Sequence, residues 1–150
     1  MTLEKEYSLD GIDSQILKIM DGDGRVSVRE LAETIGMSAP SIAERLRRLE
    51  SRGIIQKFTV ELDLTKLGYS LEAIVRIKPR PGKLAQVEEL IEKQLRIISC
   101  DRVTGDDCYV AKLVLRSITE LDELLGPFHV CAETSTSIIK SSMIKRRLVF

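Results

Sequence analysis

Up to about residue 62, apolar residues recur at helical spacing; beyond it, period-two stretches alternate with two helical ones. Ile12, Ile16, Ile19 and Met20 form the stripe of a first helix, which Asp10 can cap, with Asp13 at the N3 position and Asp21-Gly22-Asp23-Gly24 as the stop. Ser27-Val28-Arg29-Glu30 is a capping-box pattern, and Val28, Leu31, Ala32 and Ile35 follow at i, i+3, i+4, i+7. Gly36 ends that second helix. Ser38, Pro40 and Ser41 then open a third, striped by Ile42, Leu46 and Leu49. Gly53 suits a left-handed C′ position, with Ile54 folding back onto the helix. Two short helices joined by Gly36-Met37-Ser38, each with one apolar stripe, must cross steeply, which predicts a helix-turn-helix.

The second half predicts a strand with Leu71, Ala73, Val75 and Ile77 on one face, then a helix with Leu84, Val87, Ile91 and Leu95 inward. A short strand over residues 97–103, the turn Gly105-Asp106-Asp107, and a strand presenting Tyr109, Ala111, Leu113 and Leu115 come next. Ser117-Ile118-Thr119-Glu120 reads as a capping box opening a helix that Gly126-Pro127 should end or kink. Residues 134–144 are β-branched and Ser/Thr-rich, hence a final strand. The order βαββαβ predicts an α+β chain: a helical head over residues 1–62 and a ferredoxin-like sandwich over residues 63–150. Residues 54–62, with Val60 and Leu62 alternating against Thr59 and Glu61, predict a strand tethering the two.

Composition narrows the classes. The chain has 150 residues, 43% hydrophobic and 31% charged, with 23 Lys+Arg against 23 Asp+Glu. Neither disorder nor a membrane protein fits, since no apolar run approaches the ~20 residues of a bilayer crossing. The polar start at Met1-Thr2-Leu3-Glu4-Lys5-Glu6 is unlike a secretory signal, so the expected location is cytoplasmic. Cys100, Cys108 and Cys131 are widely spaced and predict small packing side chains in a reducing compartment. With His129 the sole histidine and no ligand cluster visible, neither a metal nor a cofactor is expected. A net charge of zero requires any nucleic-acid contact to come from a local patch.

The third helix carries such a patch. Over residues 38–57, five positive charges (Arg45, Arg47, Arg48, Arg52 and Lys57) face two negative ones (Glu44 and Glu50). Arg45, Arg48 and Arg52 fall at i, i+3, i+7 on one face. On an isolated helix such a stripe is commonly a solvated face. On the second helix of a helix-turn-helix, behind a small polar start (Ser38, Ala39, Pro40, Ser41), it fits a major groove, with the arginines reaching phosphates or guanine edges. The Gly105-Asp106-Asp107-Cys108 turn suits a plain hairpin or a loop whose carboxylates accept an ammonium group, and Thr134 and Thr136 either face solvent or line a polar pocket. Enzyme motifs are missing. Gly22-Asp23-Gly24 does not follow a predicted strand, Ala32 stands where a calcium loop needs Glu, and no phosphate loop or nucleophile elbow occurs. With no Asn in the chain, acylphosphatase chemistry on this sheet is excluded as well.

These residues resemble the Lrp/AsnC (feast/famine) family of transcription regulators. Leu9-Asp10-Gly11-Ile12-Asp13-Ser14-Gln15-Ile16-Leu17 is similar to its LD-x-x-D-x-x-I-L opening, and Asp23-Gly24-Arg25-Val26-Ser27, Glu30-Leu31-Ala32 and Gly36-Met37-Ser38 follow in order. Arg45-Leu46-Arg47-Arg48-Leu49-Glu50-Ser51-Arg52-Gly53-Ile54-Ile55 is similar to its R-x-R-R-L-E-x-x-G-x-I signature. Val103-Thr104-Gly105-Asp106 sits at its x-S/T-G-x-x-D turn. The resemblance implies a winged helix-turn-helix, an αβ sandwich, homodimers that assemble further, often to octamers, and an amino-acid effector held between sheet domains. It implies a recognition set of Ser38, Pro40, Ser41, Glu44, Arg45 and Arg48. Ser27, Arg29, Ala39 and Arg52 complete the expected contacts to double-stranded DNA. Gly105, Asp106 and Cys108 fall on the effector loop, where Asp107, Thr134 and Thr136 join the expected effector contacts. Many amino-acid-binding members carry Asp where this chain has Cys108, and a thiol is a weak ammonium acceptor. The rival function is a metabolite sensor whose head does not bind DNA.

Overall fold

The computed structural model describes residues 8–150; the start of the chain, on which the secretory-signal expectation rests, lies outside them. The chain forms two compact units, one reaching to Glu61 and including Arg146–Phe150, the other spanning Leu62–Lys145. The last five residues therefore belong with the head, where Arg146 pairs with Asp21; the division expected at 62/63 leaves them out.

The head consists of α1 (Gly11–Gly22), α2 (Val28–Ile35) and α3 (Ala39–Ser51). Each starts on a side-chain cap that the sequence foreshadows. Asp10 accepts from the Asp13 N–H, Ser27 and Glu30 form the reciprocal capping box, and Ser38 accepts from the Ser41 N–H. Gly36 and Gly53 are left-handed (φ 78° and 71°), and the Ile54 N–H reaches the Leu49 carbonyl at 2.9 Å as a Schellman ending requires. Ile16, Leu31, Ala32, Ile42 and Leu49 make a small buried core at which the three stripes meet.

The second unit is a four-stranded antiparallel sheet of β1 (Leu71–Pro79), β2 (Ile97–Arg102), β3 (Tyr109–Leu115) and β4 (Ala132–Ile138), ordered β2-β3-β1-β4. Helix α4 (Leu84–Lys93) and the short α5 (Leu121–Leu125) cover one face, burying Val87, Leu125 and Phe128 against Ala73, Val75, Ile77, Ala111, Leu113 and Leu115. This is the expected βαββαβ arrangement.

Three expectations need correction. Residues 54–62 are not a strand: Phe58, Val60 and Leu62 are 59%, 77% and 60% exposed, and the segment joins no sheet. The last strand ends at Ile138 instead of residue 144: its partner β1 begins at Leu71, so past the Ile139 N–H bond to the Glu72 carbonyl it has at most one more residue to offer. The capping box at Ser117 does not form. Glu120 turns its carboxylate to the Arg116 N–H and, in a two-pronged pair, to Arg96, so the segment opens as a 3-10 turn over Ile118–Glu120. Gly126-Pro127 ends α5 as expected, continuing as a 3-10 turn.

Candidate nucleic-acid interface and effector loop

Helix α3 presents two chemically different sides. Its inner side carries Ile42 and Leu49, both fully buried. Arg45 lies three residues after Ile42 and four before Leu49, hence on that same side. Its guanidinium sits between two carboxylates of the start of α1, 2.6 Å from Asp10 Oδ2 and 2.7 Å from Asp13 Oδ1. Asp13 is 2% exposed and the Arg45 side chain 19% exposed. The cap bond from the Asp13 N–H, followed by the Arg45 contact, holds the Asp10 carboxyl below its ordinary pKa, and the two carboxylates hold Arg45 above its own. Arg45 therefore ties α3 to α1.

The outer side carries Pro40, Ser41, Glu44, Arg47 and Arg48, all exposed. Glu44 and Arg47 pair with each other one turn apart. Arg48 makes no ion pair among the described residues and is the guanidinium of this face open to an outside anion. Arg47, absent from the expected contact set, shares the surface. Ser38 spends its hydroxyl at the helix start, 2.7 Å from the Ser41 hydroxyl. Ser27 does the same in its box with Glu30. Arg29 lies exposed on α2 and bonds Glu33 at 2.9 Å. Ala39 opens α3 and Arg52 closes it, its N–H bonded to the Arg48 carbonyl.

In the sandwich, the β2–β3 turn places Gly105 at φ 107° and Cys108 at φ 59°, a left-handed position that side chains seldom take. Cys108 is half-buried against the core, Asp106 is exposed, and Asp107 lies 3.7 Å from Arg76. Arg76 belongs to the sheet face away from the helices. Thr134 and Thr136 are paired in register with Ile77 and Val75, so they point to the helix side. The expected effector residues thus divide between two faces and do not form one site within this unit.

A cleft of about 430 Å³ opens instead beside α4, lined by Glu88, Ile91, Glu92, Cys100, Arg102 and Tyr109. The Tyr109 hydroxyl donates to Glu88, and that bond, with burial, pushes the phenol up. Burial likewise raises the Cys100 thiol, keeping it protonated. The i, i+3, i+4 spacing of Glu88, Ile91 and Glu92 was the available signal for this surface, but only the sheet register shows what faces it. Among the described residues no three potential metal ligands lie together, and no helix is long and apolar enough to cross a membrane.

A capped helix-turn-helix joined to a sandwich with a cleft defines a DNA-reading regulator with a ligand-binding unit. Comparison with known proteins makes the class specific. Residues 9–56 match the model of a winged helix-turn-helix DNA-binding domain, and residues 72–149 match the Lrp/AsnC ligand binding domain. The transcriptional regulator LrpC of Bacillus subtilis is 34% identical over 90% of this chain and 94% of its own length. Its solved structure superimposes with a TM-score of 0.86 over 93% of this chain and 100% of that one, at 33% identity. The regulator FL11 of Pyrococcus horikoshii is 34% identical over 87% of this chain and 89% of its own. The feast or famine regulatory protein of M. tuberculosis, complexed with L-methionine, matches at a TM-score of 0.82 and 30% identity over 94% of this chain and 98% of that one. The chain belongs to the Lrp/AsnC family of helix-turn-helix transcriptional regulators.

Proposed function

We propose that this regulator binds double-stranded DNA as a homodimer, with the helical head reading DNA and the sandwich, Leu62–Lys145, assembling subunits and holding an amino-acid effector. The outer side of α3 carries the reading: a small polar start and unpaired Arg48 sit on the helix that a helix-turn-helix offers to a major groove. Arg47 and Arg48 meet phosphates, and two copies double those contacts, which lets a chain of zero net charge bind with a steep salt dependence. The alternation of exposed Phe58, Val60 and Leu62 supports dimerisation, since an apolar extended segment left in water is better covered by a second copy. Assembly to an octamer and a cytoplasmic location follow the same reading. The L-methionine complex of the M. tuberculosis relative supports an amino-acid effector, as does a cleft whose size suits a small molecule. The effector acts by changing subunit packing and not α3 itself.

Selection of genomic fragments by the purified chain, with and without a mixture of amino acids, tests this. The expected result is enrichment of a site with two half-sites roughly 34–36 Å apart, or multiples of that, shifted by the effector. Enrichment no greater than on a blank resin would leave a sensor without DNA binding. Sedimentation at several concentrations checks the dimer and its further assembly.

A further inference from the structure

The outer side of α3 is not uniformly basic. Its C-terminal half carries Arg47 and Arg48, whereas the half that enters a groove first carries Ser41 and Glu44. Glu44 stands three residues after Ser41 and four before Arg48, on one strip about two turns long. Its side chain is 59% exposed and meets only Arg47 among the described residues. No part of the head's fold depends on it. A carboxylate carried into a major groove faces the phosphate field, and water leaves as the helix seats. It is tolerated there only if it accepts hydrogen bonds from the bases.

The donors in that groove are few. Guanine presents N7 and O6, both acceptors; thymine presents O4 and a methyl group; the exocyclic amines of cytosine and adenine are the only donors. Adenine sets its own N7 acceptor beside the amine, which repels a carboxylate. Cytosine has no acceptor of its own on that edge.

We infer that Glu44 is the base-reading residue of α3, its carboxylate accepting a hydrogen bond from the N4 amine of a cytosine at one fixed position of each half-site. The inference rests on the DNA-binding reading above and adds what the face discriminates. Arg47 offsets the carboxylate's charge on approach and then turns to the backbone, so Glu44 supplies selectivity while the arginines supply salt-dependent affinity.

The test is binding-site selection from a randomised duplex library with the full-length wild-type chain and with Glu44→Ala and Glu44→Gln, alongside affinity measured across a salt series. Circular dichroism verifies that both variants fold. The wild type should select cytosine at one position per half-site, by about tenfold to a hundredfold over the other bases. Glu44→Ala should lose preference there alone, and Glu44→Gln should move it to adenine, whose N6 and N7 a carboxamide can bond together. The salt slope should stay unchanged in both, because no phosphate contact is removed. A responding position that selects any base but cytosine, or no responding position, overturns the assignment. Salt-dependent binding without selection overturns the assignment and keeps the DNA-binding reading; no binding at any salt ends both.

Discussion

The two units each contain an arginine held by carboxylates, and the pairs do different jobs. In the head, Arg45 bridges Asp10 and an Asp13 that is 2% exposed, beside a core of five buried apolar residues among the described ones. In the sandwich, Arg96 grips Glu120 with two bonds of 3.1 and 3.2 Å and lies 4.8 Å over the Tyr69 ring, yet both partners remain about one-fifth exposed. A larger core stands behind that pair, including the fully buried Phe128, Leu113 and Leu115. The same chemistry is thus a structural requirement where water is excluded and an accessory where water can substitute.

Arg45→Ala is the strongest way to break the contrast. It leaves the buried Asp13 carboxylate without its guanidinium and should cost about 3 kcal/mol or more, read as a lower urea midpoint, with DNA binding lost because the head unfolds. If Arg45→Ala keeps its stability and loses only DNA affinity, Arg45 faces the duplex after all. Ser27→Ala removes one half of a capping box and should cost about 1 kcal/mol in the same assay. Arg96→Ala should lower the urea midpoint less than Arg45→Ala does, since both members of that pair keep about a fifth of their surface in water.

Acid separates the two more finely. The Asp10 and Glu120 carboxyls both titrate below their ordinary values, Asp10 first through the Asp13 N–H and Glu120 first through the Arg116 N–H. A depressed folded pKa stabilises above the unfolded value and is lost as pH falls through the folded one. Stability should therefore decline below about pH 4, and Asp10→Asn should flatten that decline in thermal melts. Arg48→Ala should leave the melting temperature within measurement error and lower the slope of log affinity against log salt by about one, as expected for a phosphate contact.

Local chemistry was legible along the chain and long-range chemistry was not. The caps at Asp10, Ser27 and Ser38 and the turns at Gly36 and Gly53 could be read directly, because each depends on residues within one helical turn. The inward face of β3 was equally plain from its alternation. The tie from Arg45 to Asp10 and Asp13 was not foreseen because Arg45 also falls three residues before Arg48; its place three residues after Ile42 and four before Leu49 was the overlooked signal. Glu120 matched a capping pattern but went to Arg96, a partner that only the fold brings near. Thr134 and Thr136 shared a candidate site with Asp107 until the register put them on opposite faces. The alternation at residues 58–62 was real, but alternation does not show what a strand pairs with.

The strand order has a kinetic consequence. Ala73 in the central β1 pairs with Ile138 in β4, so the sheet cannot close until almost the whole sandwich segment has been synthesised. The tie between the head's helices, Asp10 to Arg45, spans 35 residues, and only the Arg146–Phe150 segment joins this unit from farther along the chain. On the ribosome the three helices of the head should thus pack while the sheet is still incomplete, with Arg146–Phe150 joining them last, leaving an early species in which β1 lacks its outer neighbour β4. Overexpression that outruns translation-coupled folding would then fail through sheet-edge aggregation, with the three helices already packed.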